Sequence, residues 1–266
     1  MPLIHVPSSL GGFPFLPAAA AAAYTCDAAD FDGTNDWLNR GADFTGSADS
    51  SLGIFSAWVR IDGNDGTARG LVRDTGGFAE MEISNTDKFI IRMFSPDPGG
   101  VQIIIMATTT SYTTDAAWRH FLASWSVDFT VGNKLTHLYI NDVSDKNLTT
   151  DSVLGYSVDY TRADWIVGAR SAAGAGPFSG ALAEVYFAPG QFLDFSTEAN
   201  RRKFISATGK PVDLGADGST PTGTAPIVYC RMADGAAAST FGTNLGSGGG
   251  MTINGTLDIA STSPSD

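Results

Sequence analysis

Basic residues are scarce in this chain. Sixteen Lys and Arg stand against 28 Asp and Glu, a net charge of −12, and no basic cluster exceeds Arg201-Arg202-Lys203. A phosphate backbone calls for a concentrated positive face, so nucleic acid is not an expected partner, and neither is an anionic membrane surface. No apolar run reaches the ~18 residues of a membrane-spanning helix, so membrane insertion is not expected. The two cysteines, Cys26 and Cys230, cannot build a Cys-based zinc site alone. They read as buried free thiols, with a disulfide left open as the alternative if the first and last strands pair. Neither a Gly-x-Ser-x-Gly elbow nor a P-loop occurs. His5, His120 and His137 are scattered; His120 and His137 can face each other across a hairpin, but no third ligand or nucleophile has a matching spacing. They read as satisfied strand histidines.

What is present is apolar and small. Hydrophobic residues make up 43% and charged residues 17%, against about 25% charged in average proteins. Many short strands joined by turns have this composition, and all-β sandwiches often hold ~200–250 residues as one domain. Residues 1–25 read as an arm, because Pro2, Pro7, Pro14, Pro17 and Gly11-Gly12 interrupt Leu3, Ile4, Val6, Leu10, Phe13, Phe15 and Leu16. Ala18 to Ala23 imitates a leader's cleavage region, but there is no basic segment before it, so the start does not read as a secretory signal.

The two-residue period is clearest in Trp118-Arg119-His120-Phe121-Leu122-Ala123-Ser124-Trp125 and in Leu135-Thr136-His137-Leu138-Tyr139-Ile140-Asn141-Asp142, a pair of half-buried strands. Gly132-Asn133-Lys134 supplies their turn. Leu52 to Ile61 is apolar on both faces, as a central strand should be. Short strands are expected at 70–73, 78–84, 88–94 and 101–106, the last two flanking a loop stiffened by Pro96 and Pro98. Ser196 to Ala207 is the convincing helix, with Ser196 as its cap and Gly209 and Pro211 beyond its end. Residues 227–232 and 251–255 are expected to form a C-terminal strand pair within 227–258.

Several segments resemble laminin-G-like domains of the concanavalin A-like lectin/glucanase superfamily, in the family's order. They are Phe31-Asp32-Gly33-Thr34-Asn35-Asp36-Trp37-Leu38, Phe55-Ser56-Ala57-Trp58-Val59, the Trp118 to Asp142 hairpin, Ile166-Val167-Gly168, and Phe178-Ser179-Gly180-Ala181-Leu182-Ala183-Glu184-Val185. The resemblance spans residues ~27–207 and implies an all-β fold: a two-sheet antiparallel jelly-roll sandwich with one short helix and an extended N-terminal arm. The expected organisation is an arm over 1–25 and a sandwich over 26–266, with its core at 27–207.

Glucanases of the superfamily carry paired carboxylates on one strand. Glu80-Met81-Glu82-Ile83-Ser84 is the nearest match, but Ser84 stands where the second catalytic Glu belongs, so these read as a solvated or salt-bridged strand face. Glu184 coincides with the acidic position of the closing motif, for which the resemblance implies hydrogen bonds to nearby backbone. Asp27, Asp30, Asp32 and Asp36 crowd one turn; some relatives bind calcium through such loop oxygens, although these read first as turn formers. For a glycan, the binding candidates are Asp36 and Trp37, an aromatic beside a carboxylate in a turn.

The expectation is a non-enzymatic structural protein at the virion surface of a bacteriophage-type particle, of decoration, fibre or spike type, made in the host cytoplasm. Residues 1–25 would join it to other virion proteins or to copies of itself in a homo-oligomer, while the sandwich faces a cell-surface glycan without a cofactor. The alternatives are a free carbohydrate-binding module, calcium-dependent or not, and a glycoside hydrolase.

Overall fold

The computed structural model describes residues 23–96, 100–127, 135–147 and 155–266. In chain order the strands are β1 (Cys26–Asp27), β2 (Ala29–Asp32), β3 (Trp37–Asn39), β4 (Leu52–Ile61), β5 (Arg69–Asp74), β6 (Ala79–Ile83), β7 (Phe89–Phe94), β8 (Gln102–Ala107), β9 (Arg119–Ser126), β10 (Leu135–Ile140) and β11 (Val143–Ser144). They continue with β12 (Trp165–Val167), β13 (Ser179–Pro189), helix α1 (Glu198–Arg201), β14 (Val228–Cys230), β15 (Met232–Ala233), β16 (Thr252–Asn254) and β17 (Asp258–Ile259). One sheet runs β11-β10-β9-β4-β13-β2-β17, with β14 also on β13; the other runs β16-β3-β12-β5-β6-β7-β8. Both are antiparallel throughout. The fold is the expected two-sheet sandwich; the last strand β17 pairs with β2, while the first strand β1 pairs with β15 in a separate two-stranded sheet.

Alternation builds the core. Phe55, Ala57, Val59 and Ile61 of β4 meet Ala79, Met81 and Ile83 of β6 and Phe89, Ile91 and Met93 of β7 in one buried cluster. Phe89 stacks on Phe55 at 5.6 Å and on Phe121 at 4.7 Å, tying the sheets together. Burying each such side chain contributes roughly 1.5–3 kcal/mol. Gly53 is required where it is: a Cβ there would fall 2.2 Å from Trp125 Cζ2.

The other face of the eight-stranded sheet is also covered. Ile54, Leu122, Tyr186 and Ala188 pack under Phe195, Phe204 and Leu214 from the segment after β13. For that reason β9, expected to be half-buried, is buried on both faces. His120 lies within it, 2.8 Å from Ser56 Oγ through Nε2 and 4.8 Å from the Trp58 ring. It does not face His137, whose register partner is Ser124 and whose ring neighbours Asp194.

Two expected elements differ. The helix is confined to Glu198–Arg201, and its cap residue is Thr197, without a side-chain bond. Ser196 Oγ instead donates to Asp194 at 2.6 Å. The helix stops early because Phe204 and Ile205 are drawn into separate apolar clusters on the sheet, a tertiary pull that outweighs propensity. The C-terminal segments do not pair with each other: β14 joins β13 in one sheet and β16 joins β3 in the other.

Cys26 and Cys230 are free and buried, and burial pushes both thiols up to about 12. Residues 1–22 of the arm with His5, the 97–99 part of the proline loop and the Gly132-Asn133-Lys134 turn lie outside the described residues.

Candidate functional site

On the outer side of the seven-stranded sheet, where β5 and β6 are buried on both faces, charged side chains gather. On β6, Ala79, Met81 and Ile83 point into the core, so alternation turns Glu80 and Glu82 outward. Register places Arg73 of β5 opposite Glu80 on one side and Arg92 of β7 opposite it on the other. Arg170 reaches the same face from the loop after β12.

These five residues form a closed ion-pair ladder. Glu80 takes Arg73 Nη2 at 2.8 Å on Oε1 and Arg92 Nε at 2.6 Å on Oε2. Glu82 takes Arg92 Nη2 on Oε1, and both Arg73 Nη1 at 3.3 Å and Arg170 Nε at 2.9 Å on Oε2. The Glu82 side chain is only 1% exposed; such burial is tolerable because each of its oxygens has a charged donor. Every oxygen of the two carboxylates thus holds at least one arginine. Beside the ladder opens a cavity of about 360 Å³ lined by Ala68, Glu82, Ser84, Asn85, Arg92 and Arg170.

The β5–β6 turn borders the ladder. Asp74 accepts the backbone N–H groups of Gly76, Phe78 and Ala79 at 2.7, 2.6 and 2.7 Å, and Arg162 lies 4.0 Å over the Phe78 ring while pairing with Asp159 at 2.5 Å.

Asp36 and Trp37 occupy the start of β3. Asp36 is 3% exposed and accepts the N–H groups of Asp32 at 3.0 Å and Thr256 at 2.8 Å. Burial holds its carboxyl above the usual range against those two donors. The Trp37 ring is half-buried against Gly174, which has φ +75°, and its indole N–H is buried with no partner among the described residues. The loop it supports carries Arg170, whose N–H donates to Ala175 at 2.7 Å. Trp37 thus underlies the loop that delivers Arg170 to Glu82, and the sheet face joins these two places.

The other aspartates of the turn are spent locally. Asp27 accepts Gly235 N–H, Asp30 pairs with Arg60 at 3.4 Å, and Asp32 accepts the N–H groups of Thr34 and Asn35. Among the described residues no three His, Cys, Asp or Glu converge as a metal site. Glu184 sits at a bulge in β13 with φ +50°. Its partners are side chains and not the backbone that the resemblance implied: Tyr24 donates at 2.8 Å and Tyr229 at 2.7 Å. Burial pushes its carboxyl upward.

Reading the sequence found Glu80 and Glu82 but missed Arg73, Arg92 and Arg170. A signal existed for two of them, since Arg73 and Arg92 are charges inside apolar strands at outward-facing steps. Arg170 comes from a loop and left no periodic trace.

Residues 32–190 match the sequence profile of the concanavalin A-like lectin/glucanases superfamily, in its laminin-G-like branch. Among solved structures, a candidate carbohydrate-binding protein of Bacteroides ovatus ATCC 8483 is similar, with a TM-score of 0.58 and 16% identity over 89% of this chain. The chain spans 60% of that protein's length. The native heptameric SAP-like pentraxin of Limulus polyphemus gives 0.43 and 12% identity, over 66% of this chain and 82% of that one. Domains LG4-5 of the mouse laminin alpha1 chain give 0.42 and 12%, over 80% and 49%. At these identities the likeness is one of fold. No curated protein matches in sequence.

Proposed function

The chain belongs to the concanavalin A-like lectin/glucanase superfamily, and on that footing we propose that it is a non-enzymatic glycan-binding protein whose recognition surface is the outer face of its seven-stranded sheet. The observation that carries this reading is the arginine–glutamate ladder beside an open cavity of about 360 Å³. Charged planar groups held rigid by one another, four of the five residues on strands and Arg170 on a loop, suit the fixed pattern of sugar oxygens. The same pairing speaks against hydrolysis, because Glu80 and Glu82 are committed to arginines.

In this proposal the sandwich of residues 26–266 is displayed on a bacteriophage-type particle and residues 1–25 join it to neighbouring chains. The acidic, small-residue composition and the proline-interrupted apolar arm support that setting. A free carbohydrate-binding module would use the same sheet face. The two settings separate on removal of residues 1–25: the particle reading expects lost incorporation with the sandwich still folded, and normal incorporation sinks it. The glycan reading is tested by exposing the intact chain to a broad glycan array while monitoring release of reducing ends. Retention without release supports it; no retention on any glycan, or steady release, contradicts it.

A further inference from the structure

Resting on the glycan-binding reading above, we infer that the unit bound at this face carries an anionic group, a sugar carboxylate or sulfate, held by Arg92 and Arg170. The site's carboxylates are engaged: each Glu80 oxygen and Glu82 Oε1 hold an arginine, and Glu82 Oε2 holds two. Ser84 Oγ already accepts the N–H groups of Thr86 and Lys88. Its donors are not used up. Arg170 spends Nε on Glu82, and its two terminal nitrogens have no partner among the described residues. Arg92 spends Nε and Nη2, and its Nη1 has no partner among the described residues. Both side chains line the cavity, 29% and 37% exposed.

A neutral sugar hydroxyl both donates and accepts, and on such a surface it meets mostly donors. A carboxylate or sulfate only accepts, and it fits the flat fork of a guanidinium. Asn85, exposed at the same cavity, offers an amide to a neighbouring hydroxyl.

Charge agrees with hydrogen bonding. Three guanidinium groups face two carboxylates on the ladder, a local surplus of one positive charge on a chain of net −12. The distant acidic charges repel an anion only weakly, because salt screens beyond about 8 Å at physiological strength, whereas the arginines touch it.

The test is calorimetric titration of the full chain with three pairs of oligosaccharides: sulfated, sialylated and uronate-terminated, each beside its neutral parent. At least one acidic member should bind about tenfold or more tightly than its parent. Arg170→Gln should erase that preference, and so should Asn85→Asp, an exposed change that sets a negative charge in the cavity; Asn85→Asp should melt as the parent does, and Arg170→Gln, which leaves Glu82 its Arg73 and Arg92 partners, should stay folded. Neutral parents binding as tightly as acidic ones would overturn the anionic inference and leave glycan binding standing. No binding by any member of the pairs would overturn the inference, and no retention on the broad array as well would remove the glycan reading. An acidic preference that survives both substitutions would overturn the placement at Arg92 and Arg170.

Discussion

A Cβ on Gly174 would fall 2.4 Å from Trp37 Cζ3, so the loop carrying Arg170 rests directly on the indole. Gly174 also holds φ +75°, where L side chains are strained. The two facts give the aromatic a positional role at the site without requiring it to touch a sugar.

Gly174→Ala should therefore lift the loop from Trp37. Strain and contact together are expected to cost about 1–3 kcal/mol, read by urea denaturation. Glycan affinity should fall as well, since Arg170 loses its seat. Wild-type affinity in this variant would show that Trp37 and Arg170 are not coupled.

Glu82→Gln should act on stability. It removes one charge from a buried network and leaves three arginines short of a partner, a loss of about 3–5 kcal/mol. A variant that keeps its unfolding midpoint yet loses turnover on a glucan would restore the hydrolase alternative.

Arg69 makes a second buried test. Fully buried, it donates to Gly63 O at 2.5 Å and pairs with Asp65 at 3.2 Å and Asp87 at 2.5 Å. Arg69→Ala should cost about 3–5 kcal/mol by leaving the more buried Asp87 uncompensated, and hydrogen exchange should speed up at Gly66, whose N–H donates to Asp87.

Acid sensitivity follows from His120. Burial pushes its pKa from 6.5 down to about 3. The unfolded chain thus takes up a proton near pH 6.5 that the folded chain refuses until about pH 3. Its contribution to stability is complete above pH 6.5 and falls as pH drops between those values, by at most ~1.4 kcal/mol per pH unit. Measured from pH 7 to 4, His120→Gln should lose less stability than the parent. Equal losses would refute the assignment.

The fold was legible where local pattern and burial agree. β4 and β13 could be read because each is apolar over most of its length, and the order of their neighbours follows the sandwich. The helix was only partly legible: nothing local announces that Phe204 and Ile205 leave it to pack on a sheet. At the site, Glu80 and Glu82 showed through alternation, but their partners come from β5, β7 and a loop, and strand order is what joins them. Trp37 was visible as an aromatic in a turn; its contact with Gly174 depends on a distant loop that periodicity does not place.

The most direct measurement of the central claim is an arginine side-chain Nε–Hε spectrum of the intact chain, recorded while an acidic oligosaccharide that binds is added. The Arg92 and Arg170 signals should move together and saturably, while the signals of Arg60 and Arg231, which lie outside the ladder, stay in place. Saturable binding that leaves Arg92 and Arg170 unmoved would contradict the claim.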